Sequence, residues 1–250
     1  MGIKISRKKP RHILASLLYR LLKLPIPNRT KFRLFLDLEW IFNRLSNEQS
    51  HYVYGPENHP WRNNAFEFIA QNIEPGSVVL DLGCGYGEIS AMLADQGATV
   101  VGVDHDSSKI EKAKSTYKKN NLSFLCLDAI DYLQTKEVNF DVLILSHVLE
   151  HIDEPADFLE RFKGYFKYIY IEVPDFDATI LNYYRVDLDL ALNHTDNDHV
   201  TEFDRNELND MFLKCDLSVM SSQYIFAIQR YWCKVGTPKL DEIEKLAQTL

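Results

Sequence analysis

The chain has 250 residues, 46% of them hydrophobic and 26% charged, and carries a net charge of −8. That length suits one α/β domain with terminal additions and a sizeable core. The charge is divided: residues 1–36 hold ten of the 28 Lys/Arg and no acid, leaving 18 basic residues against all 36 acids, a balance of −18, in the remainder. Such a body repels nucleic acid, so no nucleic-acid partner is expected, whereas the basic head suits an anionic surface.

In chain order, Leu14, Leu17, Leu18, Leu21 and Leu22 cover one face of a helix within Ile13–Pro25, with Arg20 and Lys23 off it. The run is too short to cross a bilayer, and no small-residue cleavage site marks a signal peptide. Two readings stay open: residues 1–30 lie on an anionic membrane surface, or the helix packs on its own domain or a second subunit. Pro25 and Pro27 end it. Residues 31–50 predict another helix, with Leu34, Phe35, Leu38, Ile41, Phe42 and Leu45 apolar. Tyr52, Tyr54 and Gly55-Pro56 form a link, and His59-Pro60 precedes a helix from Trp61 to Ile73. Residues 1–60 are read as an N-terminal extension.

Next comes Ser77-Val-Val-Leu-Asp-Leu-Gly-Cys-Gly-Tyr-Gly-Glu-Ile-Ser90. Val78 to Leu82 predict a strand buried on both faces, and Gly83, Gly85 and Gly87 a tight turn into a helix. A dinucleotide fingerprint needs a third glycine where Glu88 stands, and an acid there repels a pyrophosphate. With Asp81 two residues before the first glycine, the turn suits a cationic ligand. The stretch resembles the D-x-G-x-G-x-G signature of class I S-adenosylmethionine (SAM)-dependent methyltransferases, and the resemblance spans about Trp61 to Val235. It implies a doubly wound, Rossmann-like α/β sheet, mostly parallel with a final antiparallel strand, over residues 61–235. SAM is the implied cofactor.

The remaining pattern alternates strand and helix, as a parallel sheet with crossovers requires. Strands are predicted at Thr99–Asp104, Leu122–Leu127, Phe140–Ser146 and Tyr168–Val173. Helices are predicted at Glu88–Gln96, at Ser107–Asn120 with Ser107 or Ser108 as N-cap, and at Ala156–Lys163, with a short turn near Ala129–Leu133. Asp204 and Glu207 form a capping box for a helix to Lys214. The runs Leu217–Tyr224 and Arg230–Val235 resemble the family's closing antiparallel pair, and residues 236–250 read as a charged tail. Cys84, Cys126, Cys215 and Cys233 show no metal or redox spacing, which predicts free thiols, the last three of them buried, in a reducing compartment.

Ligands of open α/β sheets bind beyond the carboxyl ends of the strands. Asp104 ends the second strand, where a carboxylate accepts from vicinal ribose hydroxyls. Asp128 and the backbone of Ala129 follow the third, where they suit an adenine. The resemblance implies these same roles, with Asp81, the carbonyl after Gly83, and Ser146 toward the methionine end. In such families segments before the first strand fold over the cofactor, a place for Tyr52 and Tyr54.

The fourth strand runs into Ser146-His-Val-Leu-Glu-His151, which resembles the H-x-L-E-H segment of small-molecule methyltransferases. It is not the Asn-Pro-Pro-Tyr of adenine N-methylation, and no Pro-Cys nucleophile pair is present. A hydroxyl acceptor must lose a proton, which makes His147 and His151 candidate bases. A long excursion at residues 174–200 holds Tyr183, Tyr184, Arg185, His194 and His199. Its end, Asp198-His199-Val-Thr-Glu-Phe203, resembles a segment of methyltransferases of surface-polysaccharide and lipid-linked-sugar pathways, which adds His199 as a third candidate. The four histidines 147, 151, 194 and 199 match no metal fingerprint, so no metal is expected. The resulting expectation is a cytoplasmic enzyme, peripheral on the inner membrane face, that O-methylates a sugar or lipid-linked saccharide. The alternatives are a lipid quinone or soluble metabolite as acceptor, or a catalytically silent SAM-binding module tethered to a membrane.

Overall fold

The computed structural model describes residues 19–20, 22–55, 59–128, 132, 140–193 and 198–236. Most of the amphipathic head, Ala129, His194 and the tail beyond Gly236 lie outside them. Among the described residues no helix is long and apolar enough to cross a membrane.

Seven strands form one sheet in the order β3-β2-β1-β4-β5-β7-β6. They are β1 (Val78–Leu82), β2 (Thr99–Asp104), β3 (Leu122–Cys126), β4 (Val142–Ser146), β5 (Tyr168–Pro174), β6 (Leu217–Ile225) and β7 (Ile228–Val235). The first five run parallel, and β7 is antiparallel to both β5 and β6. Period-2 alternation gives each face its own core. Leu80, Leu143, Leu145, Ile169 and Ile171 join Phe162 and Phe212 on one side. Val79, Val142, Ile144 and Tyr170 join Ile69 and Leu93 on the other. The chain moves outward from β1 in both directions, so the strand order reverses between β1 and β4, and the ends of these strands open a crevice.

The helices are α1 (Asn28–Tyr54), α2 (Pro60–Asn72), α3 (Glu88–Asp95), α4 (Ser107–Thr116), α5 (Pro155–Phe162), α6 (Leu181–Asp187) and α7 (Arg205–Lys214). The capping box forms in full, with Glu207 N donating to Asp204 Oδ1 at 2.8 Å and Asp204 N to Glu207 Oε2 at 3.0 Å. At α4 the cap is Asp106, not Ser107 or Ser108. Its carboxylate accepts from the backbone N–H of Ser108 at 2.9 Å, which reaches further back than a serine hydroxyl within the first turn. The four thiols are free, but Cys126 is exposed where an apolar strand pattern predicts burial, because β3 is an edge of the sheet.

The 174–200 excursion contains α6, a helix without a strong sequence signal, and lies strapped to α1. Arg185, 1% exposed, donates from Nη2 to Leu36 O at 2.5 Å and to Glu39 Oε2 at 2.6 Å. Arg33 donates to Leu188 O at 2.6 Å and Trp40 Nε1 to Leu192 O at 2.9 Å. Two segments more than a hundred residues apart therefore form one wall above the sheet.

The glycine turn leaves no freedom at Gly87, where φ is +83° and a Cβ would stand 2.5 Å from Phe124 Cζ. Gly87→Ala combines a left-handed backbone penalty with overpacking against Phe124, and is expected to cost about 2–4 kcal/mol. A lowered midpoint in urea unfolding checks this.

Candidate functional site

The turn after β1 is tied to β2, with Gly83 N and Cys84 N both donating to Val103 O at 2.8 and 3.0 Å. Gly85 N donates to Asp104 Oδ2 at 2.9 Å, and Asp106 N to Asp104 Oδ1 at 2.8 Å. Asp104 is thereby held at the rim of the turn, and a Cβ added to Gly85 would meet nothing within 4 Å. Beside it lies a cavity of about 150 Å³ bounded by Asp81, Gly83, Cys84, Ser146 and Glu172, with Trp61 and Arg62 of α2 above. Asp128 stands exposed beyond β3.

Asp81 is 2% exposed and accepts from Ser90 Oγ at 2.5 Å. Burial, offset in part by that hydrogen bond, pushes its carboxyl up to about 7. It is a buried acid without a cationic partner of its own, set where an ammonium is expected. The open turn, the fixed Asp104 and this acid fit SAM: Asp104 toward ribose hydroxyls, Asp81 toward the ammonium, and the Gly83–Gly85 backbone between them.

A second set of charges closes the crevice. Glu172, fully buried on β5, accepts from Tyr170 OH at 2.7 Å, Ser146 Oγ at 2.9 Å and Arg230 Nε. Arg230, also fully buried, reaches Asn64 Oδ1 and Trp61 O on α2. Burial alone pushes the Glu172 carboxyl up, but His147, Arg230 and Tyr170 hold it down at about 2. His147 has φ of +54°, with Nδ1 3.0 Å from Glu150 Oε1 and Nε2 3.3 Å from Glu172 Oε1. Burial opposes its charge, but the two carboxylates prevail and raise it to about 10. A carboxylate at each nitrogen favours the imidazolium over the free base, which weighs against the base role expected of His147.

A larger cavity, about 670 Å³, opens on the outer side of His147. Trp40, Asn43, Arg44 and Tyr54 of α1 line it with His59, Trp61 and Phe226. Neither His151 nor His199 is among its described lining residues; the two rings instead meet each other. Their centroids lie 4.8 Å apart, and His199 Nδ1 pairs with Glu202 Oε1 at 2.6 Å. Of the two tyrosines expected over the ligand, Tyr54 lines the cavity and Tyr52 is exposed.

The cavity's other buried imidazole is His59, which sequence reasoning passed over as a residue before a proline. It is 8% exposed, its Nε2 lies 2.9 Å from Ser50 Oγ, and its Nδ1 has no partner among the described residues. Burial, then the neighbouring His51 and Arg62, lower its pKa from the ordinary histidine value, which favours the neutral ring.

Residues 58–222 match the family model described as "Methyltransferase domain". Among curated relatives, the ubiquinone biosynthesis O-methyltransferase of Coxiella burnetii is 36% identical over 98 residues, 38% of this chain and 42% of the relative. The mitochondrial protein of that description from Schizosaccharomyces pombe is 35% identical over 98 residues, 37% of this chain and 35% of the relative. The matched stretch thus spans well under half the length of these relatives. A solved complex of the Haloferax volcanii Trm112 methyltransferase activator with a putative methyltransferase aligns with a TM-score of 0.55 at 17% identity, covering 68% of this chain and 88% of the other. Magnesium protoporphyrin IX methyltransferase from Synechocystis, with bound SAH, aligns with a TM-score of 0.54 at 17% identity over 70% and 81% of the two chains. At such identities the likeness is one of fold.

Asp81 yields a pH-dependent expectation. With its pKa near 7, the acid is largely protonated at about pH 6, and a cation beside it favours the carboxylate, so binding of SAM releases about one proton. Above about pH 8 the release vanishes. Calorimetry in two buffers of different ionisation heat should find this release in the native chain, and in Asp81→Asn neither the release nor full affinity.

Proposed function

The chain belongs to the methyltransferase-domain family, and from that premise we propose that it O-methylates a phenolic hydroxyl on a quinone-type aromatic acceptor. The observation that carries the reading is the aromatic cavity of about 670 Å³ beside the SAM crevice, with a neutral imidazole in its wall. The curated relatives, ubiquinone biosynthesis O-methyltransferases, point the same way. The saccharide acceptor expected from residues 198–203 loses ground, since His199 is absent from the described cavity wall.

SAM, when bound, supplies a methyl group already activated on a sulfonium. The chain's own part is to bind, orient, exclude water and move one proton. Trp40, Trp61 and Phe226 offer flat apolar surfaces for a ring, and α1 with the 174–200 excursion covers it. A phenol loses its proton near pH 10, within reach of an imidazole, whereas a sugar hydroxyl is far less acidic. His59 takes that proton. Ser50 holds the ring through Nε2 and leaves the lone pair on Nδ1, a buried atom with no partner among the described residues, so the ring must turn toward the acceptor to take the proton there. His147 stays cationic throughout and holds Glu150 and Glu172 in place.

Formation of S-adenosylhomocysteine with a prenylated catechol, and none with nucleotide-linked or lipid-linked sugars, is the expected result. Turnover with a sugar and not the catechol overturns the reading. His59→Gln should lower kcat by about 10²–10⁴-fold with unchanged SAM affinity. Because the neutral ring is the active form, the native rate should hold down to pH 6.5 and fall only on an acid limb below it.

A further inference from the structure

At the Leu149–His151 turn, three side chains converge that do not line the larger cavity. The ligand-capable atoms of Glu150, His151 and His199 all lie within 4.8 Å of one another. Glu150 is fully buried, and while Oε1 faces His147, Oε2 has no hydrogen-bond partner among the described residues. A buried, unpartnered carboxylate oxygen is costly unless something cationic meets it. His199 Nδ1 is bound by Glu202 Oε1 at 2.6 Å, which turns Nε2 away from that carboxylate. His151 Nδ1 faces Asp198 O at 3.2 Å, which likewise leaves Nε2 as its outward nitrogen. The backbone holds the two segments together, with Val200 N and Thr201 N both donating to Glu150 O at 2.8 and 3.2 Å.

We propose that Glu150, His151 and His199 bind a divalent zinc ion, with the fourth position open to water. Two imidazoles and one carboxylate form a donor set for zinc, whereas magnesium takes oxygen ligands. Ligand atoms of a tetrahedral zinc stand roughly 3.4 Å apart, so the three need close by only about an ångström. Glu202 acts as the carboxylate partner that orients a metal-bound histidine and fixes its tautomer. The ion joins the end of the 174–200 excursion to the turn after β4, and touches the acceptor cavity only through Glu150 and His147. The spacing 150, 151, 199 fits no sequence fingerprint because a fold contact, not a helix or knuckle, unites the ligands. This site stands apart from the acceptor reading, since zinc binding is measured without any acceptor.

The test is a titration of the full, metal-stripped chain with zinc chloride against a competing chelator, alongside cobalt(II) absorption. One equivalent of zinc and the intense visible bands of a tetrahedral cobalt site are expected. His199→Gln and His151→Gln should each weaken zinc at least about tenfold, and Glu202→Gln about tenfold through the second shell. Unchanged SAM affinity in these variants certifies folded protein. If folded His199→Gln binds zinc as the native chain does, if no equivalent is taken up, or if equimolar magnesium displaces it, the proposal is overturned.

Discussion

The ion pair of Glu172 and Arg230 is the constraint on which the crevice depends. Both side chains are fully buried, so neither tolerates loss of its partner, and between them they join β5, β7 and α2. Around Glu172 gather Ser146, His147 and Tyr170, which brings the end of β4 into the same network. A buried pair of this kind adds little net stability over an apolar replacement, but it admits few alternative arrangements. Here it sets where α2 sits over the glycine turn and where His147 stands between the two cavities.

Much of the fold was legible in the sequence. Val78–Leu82, apolar but for Asp81, and Thr99–Asp104, with Val100, Val101 and Val103, are bounded by a glycine turn or an acid, and their limits coincide with β1 and β2. The capping box of Asp204 and Glu207 is a local device and therefore visible locally. Asp81, Gly85 and Asp104, the residues expected to face a cofactor, lie together around the turn after β1, where Asp104 accepts from Gly85 N.

The chemistry of the histidines was not legible, because it belongs to partners distant in sequence. His147 looked like a base by position; Glu150 beside it and Glu172, 25 residues further on, both favour its charged form, and the second was not visible locally. His59 carried no motif, and its neutrality comes from burial under α1 and from His51 and Arg62. His151 and His199 meet only after the chain has crossed the entire excursion. Helix α6 went unseen because Arg185, an inward-facing charge, is the opposite of what an amphipathic pattern leads one to expect; Glu39 and Leu36 of α1 are what admit it.

The strap between α1 and the 174–200 excursion has a consequence for how this chain diversifies. The glycine turn and Asp104 are written within about fifty residues of β1, α3, β2 and β3, whereas the larger cavity draws its wall from α1, α2 and the β6–β7 corner, and α2, Ser146 and Glu172 also border the smaller one. Drift in α1 can then remodel which molecule is admitted while the affinity for the methyl donor is left alone. Two selectivities housed in separate stretches of one polypeptide are free to evolve at different speeds.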